Sequence, residues 1–293
     1  MSKSNLNLLL LHTIVLIFGF TGILGKLITL SSHHLVWYRM LIALAAISMY
    51  MPLVKVSAKA GKRRVIALLV TGMITAAHWI TFFEAIKVST VSVTLACLST
   101  ATLFTALIEP LFFKRRISVS EIIMGVCIIA GLGMIFSVET QYALGIGLAV
   151  LSAFLASLFN VLNGIFIRSD KPSRIALYEM IGGVLLISIY LSIRGDWNTD
   201  FFSVSGADWL WLLLLGTVCT AFAFVVGVKV METISPFTVS LSINLEPIYG
   251  IILAWFIFGA EEQMNFGFYL GAFVIFATVF TNAYLKRRKL RTS

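Results

Sequence analysis

The sequence predicts an all-α membrane protein, with ten transmembrane helices arranged as two inverted five-helix repeats around a central cavity. Three observations carry this expectation. The chain is 59% apolar and 12% charged, against about 25% charged residues in soluble domains. Its apolar runs match the roughly 20 residues that a bilayer core requires of a helix. Its basic residues gather in short connections on one side, the pattern that sets topology.

The runs fall near Leu6 to Leu30, Leu35 to Val54, Val65 to Ile86, Ser89 to Phe113 and Ile117 to Val138. They continue near Tyr142 to Ile167, Ile175 to Ile193, Trp209 to Val230, Pro236 to Phe258 and Phe266 to Leu285. No connection is long enough for a soluble domain. The first run contains Lys26 and lacks a small-residue cleavage signature, so it reads as a helix and not as a removable signal peptide. With the amino terminus inside, all but Lys26, Arg39, Lys87 and Arg194 of the 22 Lys and Arg residues lie on the cytoplasmic side. Both termini are therefore expected to be cytoplasmic in the inner membrane. Glu261, Glu262 and the stretch Asp196 to Asp208 then fall outside, where Trp197, Trp209 and Trp211 suit an interfacial belt. The net charge of +9 thus reads as topology and gives no reason to invoke nucleic acid. Cys97, Cys127 and Cys219 sit in apolar runs without ligand spacing, which predicts neither a disulfide nor a metal site.

A repeat is visible. Tyr38, Met40, Ile47, Ser48 and Tyr50 align without a gap on Tyr178, Met180, Ile187, Ser188 and Tyr190, and Ser89 to Phe113 lies over Ile234 to Phe258 at a slightly larger offset. The expected units are residues 1–140 and 141–293. Five helices per unit is odd, so the second copy is inverted. Glu109-Pro110 echoes Glu246-Pro247, but pairing them breaks the helix frame.

The chain resembles the drug/metabolite transporter superfamily, in particular its EamA-type members. The likeness rests on Phe18-Gly19-Phe20-Thr21-Gly22 with Lys26, on Trp37-Tyr38-Arg39, on Phe83 to Val88 and on Phe112 to Ser118. The Gly-Glu-Arg usual near the end of the fourth helix reads Phe113-Lys114-Arg115-Arg116 here, and Phe258-Gly259-Ala260-Glu261-Glu262 in the second copy. The resemblance implies export or facilitated movement of amino acids, other metabolites or drugs, through a cavity lined by both repeats.

Ionisable groups at membrane depth are costly, about 2.5–3.5 kcal/mol at a helix centre, and so are functional candidates. Lys26, Arg39 and Glu84 lie toward the outer ends of their helices, as an outer gate or as separate snorkelling groups. Glu109, Glu121 and Glu179 lie toward the cytoplasmic ends, where interfacial pairing with basic loops is the plainer reading. Arg39 and Glu179 are equivalent by repeat but are not expected to be partners. Two groups are deep. His78 stands beside Trp79 in the third helix. Glu246 stands in the ninth with Asn244, just before Pro247, which cannot donate to the carbonyl of Ile243, so the helix there kinks or leaves an acceptor free. A carboxylate at a local break suits a midplane binding site. The substrate-binding set is thus Glu246, Asn244, His78, Trp79, Asn160, Asn163, Thr102 and Tyr249, with Lys26, Arg39 and Glu84 as gate. Polar stripes at helical spacing (Thr71, Thr75 and His78; Thr94, Thr102, Thr105 and Glu109; Ser152, Asn160 and Asn163; Thr217 and Thr220) either line the cavity or join helices. Gly19, Gly22 and Gly25 read as packing contacts.

A secondary transporter of a small metabolite, an amino acid or related compound, is the expectation. It needs a small-molecule substrate and a lipid bilayer and no cofactor or metal; oligomeric state stays open. Proton-coupled drug or cation efflux is the alternative within that class. An intramembrane enzyme lacks an Asp in any span and a His-Glu-x-x-His pattern, and a channel lacks a filter-like sequence.

Overall fold

The protein's structure, a computed structural model, describes residues 3–292 apart from 115, 118 and 244. It leaves out the side chains of residues 3–5, 8, 121, 236, 237, 240, 241, 282, 283 and 285–292. Asn244 and the side chain of Glu121 therefore lie outside the described residues.

All regular structure among the described residues is helical. The first half contains α1 (Lys3–Leu27), α2 (Ser32–Leu53), α3 (Lys62–Val88), α4 (Val91–Leu98), α5 (Ala101–Phe113) and α6 (Val119–Val138). The second contains α7 (Ala143–Phe166), α8 (Pro172–Arg194), the short α9 (Thr199–Phe202), α10 (Gly206–Gly216), α11 (Ala223–Val230), α12 (Pro236–Ile243), α13 (Leu245–Phe258) and α14 (Phe266–Thr292). Seven segments are long and apolar enough to cross a membrane, and the stretches Ile122–Val138 and Phe266–Thr281 are shorter apolar helices.

One of the expected continuous helices is interrupted among the described residues. The fourth expected helix, read from sequence as unbroken, divides into α4 and α5 at Ser99-Thr100. There the hydroxyls of Ser99 and Thr100 donate to the carbonyls of Leu95 (3.3 Å) and Cys97 (2.7 Å), a back-bonding that bends helices. The eighth is continuous through one wide turn: Thr217–Phe222 is π-helical between α10 and α11.

The two halves pack into one another, with α3 against α7 and α8, α2 against α8, and α1 against α11 and α13. Glycine permits the closest of these approaches. A methyl group at Gly72 of α3 would overlap the carbonyl oxygen of Glu179 in α8, and one at Gly182 would overlap that of Leu69. Such small-residue contacts join helices where no hydrophobic difference from lipid is available.

Candidate functional site

Between the halves lies a cavity of about 110 Å³, room for several waters at roughly 10–15 Å³ each, or for one small solute. Both halves line it. Phe18 and Thr21 come from α1, Arg39 from α2, and His78, Trp79 and Phe82 from α3, while Leu98, Ser99 and Ala101 come from the α4–α5 break. Opposite stand Phe159, Asn160 and Asn163 of α7, Cys219 of the π turn, Phe224 of α11, Ile243 of α12, and Glu246 and Pro247 of α13.

The α4–α5 break thus feeds the cavity. The α4–α5 segment begins at Val91 and ends at Phe113, and the α12–α13 segment begins at Pro236 and ends at Phe258. In that register Ala101 corresponds to Glu246, and both face the same space. Glu109-Pro110 has no counterpart in Glu246-Pro247. Glu246 lies ten residues into its segment, about 15 Å at 1.5 Å per residue, near the middle of a bilayer core of about 30 Å.

Arg39 stands seven residues, about 10 Å, into α2 and is 2% exposed. Its Nε donates to Thr220 Oγ1 (2.6 Å), and its guanidinium lies 3.9 Å from the centroid of the Trp79 ring, a cation–π contact. Glu246 is within its electrostatic reach. Arg39 Nη1 has no hydrogen-bond partner among the described residues, so a charged donor is left available beside the cavity. His78 Nδ1 meets the Ser152 carbonyl at 2.9 Å. A carbonyl can only accept, and the Ser152 hydroxyl, 2.7 Å from Nδ1, donates to the His78 carbonyl, so a proton is assigned to Nδ1. Asn163 donates to Glu179 Oε2 (3.5 Å), which also accepts from Thr75 Oγ1 (3.4 Å). Asn163 Oδ1 and Glu179 Oε1 are buried without partners among the described residues.

Of the sequence-predicted binding residues, Glu246, His78, Trp79, Asn160 and Asn163 line the cavity. Thr102 is fully buried but outside the lining, and Tyr249 is 38% exposed, its Cβ against Gly19. The expected gate trio is not a network. Arg39 belongs to the cavity, because its side chain turns inward to Thr220 and the face of Trp79. Glu84 accepts from Ser32 Oγ (2.5 Å). Lys26 pairs instead with Glu261 (3.2 Å) and Glu262 (2.9 Å). Glu179 is a further correction: it is wholly buried between α3, α7 and α8, not paired at an interface. Sequence reasoning left Thr21, Ser99 and Cys219 out of the site. The Ser-Thr pair after Leu98 was the available signal for the second of these.

The cavity is asymmetric along the bundle. Its lining extends through Val228 to Met231 and Val239, at the end where Asn7 near the amino terminus donates to Thr233 (2.8 Å). The opposite end is tied shut. Glu262 there accepts from Lys26, from Val91 N (3.1 Å), and from Ser92 N (2.9 Å) and Oγ (2.7 Å), so it caps the start of α4. Asp208 accepts from Thr29 N (2.9 Å) and Oγ1 (2.6 Å), and Lys87 donates to the carbonyl of Ile28 (3.1 Å).

Comparison with known proteins agrees with this duplicated architecture. A solved crystal structure superposes with a TM-score of 0.69 over 97% of this chain and 98% of that one at 16% identity, a likeness of fold. An uncharacterized transporter, YoaV of Bacillus subtilis (strain 168), is 26% identical over 202 residues, 65% of this chain and 66% of that protein. That is just under two thirds of its length. The model of the EamA-like transporter family matches twice, over residues 5–137 and 143–284. The two matches cover nearly the whole sequence, and the chain belongs to the EamA-like transporter family.

Proposed function

We propose that this membrane transporter carries a small zwitterionic metabolite, an amino acid or a related compound, by alternating access. The observation that carries the reading is the presence of Arg39 and Glu246 in one cavity, with Arg39 Nη1 unpartnered among the described residues. A buried guanidinium with a spare donor suits a carboxylate, and the Glu246 carboxyl in the same pocket suits an ammonium. Trp79, Phe82, Phe159 and Phe224 supply apolar wall for a side chain. Asn163 Oδ1, without a partner among the described residues, adds an acceptor.

In this reading the chain forms ten membrane helices, as units 1–140 and 141–293 in inverted orientation. Both termini are cytoplasmic in the inner membrane, as the distribution of basic residues favours. The state described is then inward-facing, with the Lys26–Glu262 latch closing the outer side. Efflux of a lipophilic cation is the competing reading, and Arg39 opposes it electrostatically. The test is counterflow in proteoliposomes loaded with single amino acids, with a lipophilic cation in parallel. Saturable exchange of a labelled amino acid, lost in Arg39→Gln, supports the proposal. Exchange of the cation alone overturns it.

A further inference from the structure

Away from the cavity, three metal-ligating side chains converge at the latched end. His33 and His34 occupy the first turn of α2, and Asp196 follows the end of α8. Their ligand atoms all lie within 4.8 Å of one another, with His33 Nε2 at 3.7 Å from Asp196 Oδ2. A tetrahedral zinc site, with bonds near 2.0–2.1 Å, separates its ligand atoms by about 3.3 Å, so small side-chain movements suffice. His34 Nε2 and Asp196 Oδ2 are both buried without a hydrogen-bond partner among the described residues. Unsatisfied buried polar atoms are uncommon and call for an explanation. The rings are already held, His33 against Tyr190 (5.6 Å) and His34 against Phe201 (4.7 Å).

We propose that His33, His34 and Asp196 form a binding site for one late first-row divalent cation of the zinc class, which clamps the start of α2 to the end of α8. Two imidazoles and one carboxylate favour such an ion over magnesium or calcium, which take oxygen ligands. Water supplies the fourth position. The clamp joins the two family-matched segments, because His33 and His34 belong to the first and Asp196 to the second. Arg194 and the positive end of the α2 dipole oppose a cation. Asp196 answers them, and Glu84 lies within electrostatic reach of His33. Arg194 Nε sits 3.6 Å from Asp196 Oδ2 on a side chain 57% exposed, so it leaves for water when the ion arrives.

Tag-free full-length protein in detergent is titrated with Co²⁺ and followed by visible absorption, then challenged with Zn²⁺. The expected result is one Co²⁺ per chain, displaced by Zn²⁺. Asp196→Asn weakens binding by at least the ~10-fold that loss of even an outer-shell partner costs a metal site. Arg194→Gln tightens it by releasing the carboxylate, and His12→Gln, at an exposed position elsewhere, leaves it unchanged. No Co²⁺ band in the parent protein overturns the proposal. So does equal affinity in Asp196→Asn, or an Arg194→Gln protein that binds no better. The readout is independent of transport, so its failure leaves the transport reading standing.

Discussion

A guanidinium held away from water must have its charge compensated, and Arg39 has Thr220, the face of Trp79 and the nearby Glu246 for this purpose. None of these occupies Nη1. In the proposed mechanism a solute carboxylate does, and hydrogen bonds to charged groups contribute about 1.5–3 kcal/mol. Arg39→Lys keeps the charge but loses the fork and the ring stacking. It is expected to raise the half-saturation concentration about 10- to 100-fold in proteoliposome uptake while the protein still inserts. Glu246→Gln preserves shape and removes the ionisable group, so substrate-dependent flux is expected to fall to near background. Wild-type flux in that variant would make Glu246 structural. Glu246, His78 and Trp79 were legible as deep because each stands far from any basic loop. Arg39 and Glu179 were not. Each lies seven residues inside its helix, and at that distance sequence alone cannot separate a snorkelling side chain from one turned inward. Which way it turns depends on helix phase, which Thr220 and Asn163 fix from other helices.

The elements show how the site is held. The break at Ser99 was silent, because serine and threonine bend a helix only when their hydroxyls turn back onto the preceding turn. The α3–α8 seam was equally unreadable, since Gly72 and Gly182 resemble any other glycines until their partners are known. That seam carries Thr75 and Glu179 and so sets the wall behind Asn163. Gly182→Leu is expected to force the helices apart at a cost of about 1–3 kcal/mol or more, the range for overpacking. The check is a lowered thermal unfolding midpoint in detergent. Gly147, with open space around it, should accept Ala with no change in that midpoint.

For the whole molecule the asymmetry of the cavity matters most. One end is lined space, and the other is closed by Glu262, whose carboxylate ties α1 to the start of α4. Removing its charge with Glu262→Gln should loosen that closure. In a Cys97→Ser, Cys127→Ser background Cys219 is the one thiol left, and it faces the cavity. A membrane-impermeant thiol reagent is expected to reach Cys219 from the latched side faster in Glu262→Gln than in the parent. Equal rates would show that the latch does not control access. The duplicated architecture was visible in the sequence through the aligned second and seventh helices. The direction in which the cavity extends was not, since it depends on which of two near-equivalent ends happens to be tied.

The wide turn at Thr217–Phe222 gives the eighth helix one residue more than a regular helix would hold. Thr220 Oγ1 marks it by donating to the carbonyl five residues back, at Leu215 (2.6 Å). Each residue of a regular helix advances the side chains by about 100°. A one-codon deletion here would therefore repair the spiral while turning Phe224, Gly227 and Val228 about a quarter of a circle away from the solute. The shortened protein would have the more regular helix and a misaligned wall. Natural length variation among relatives should accordingly avoid this turn, although nothing in its backbone hydrogen bonding forbids the change.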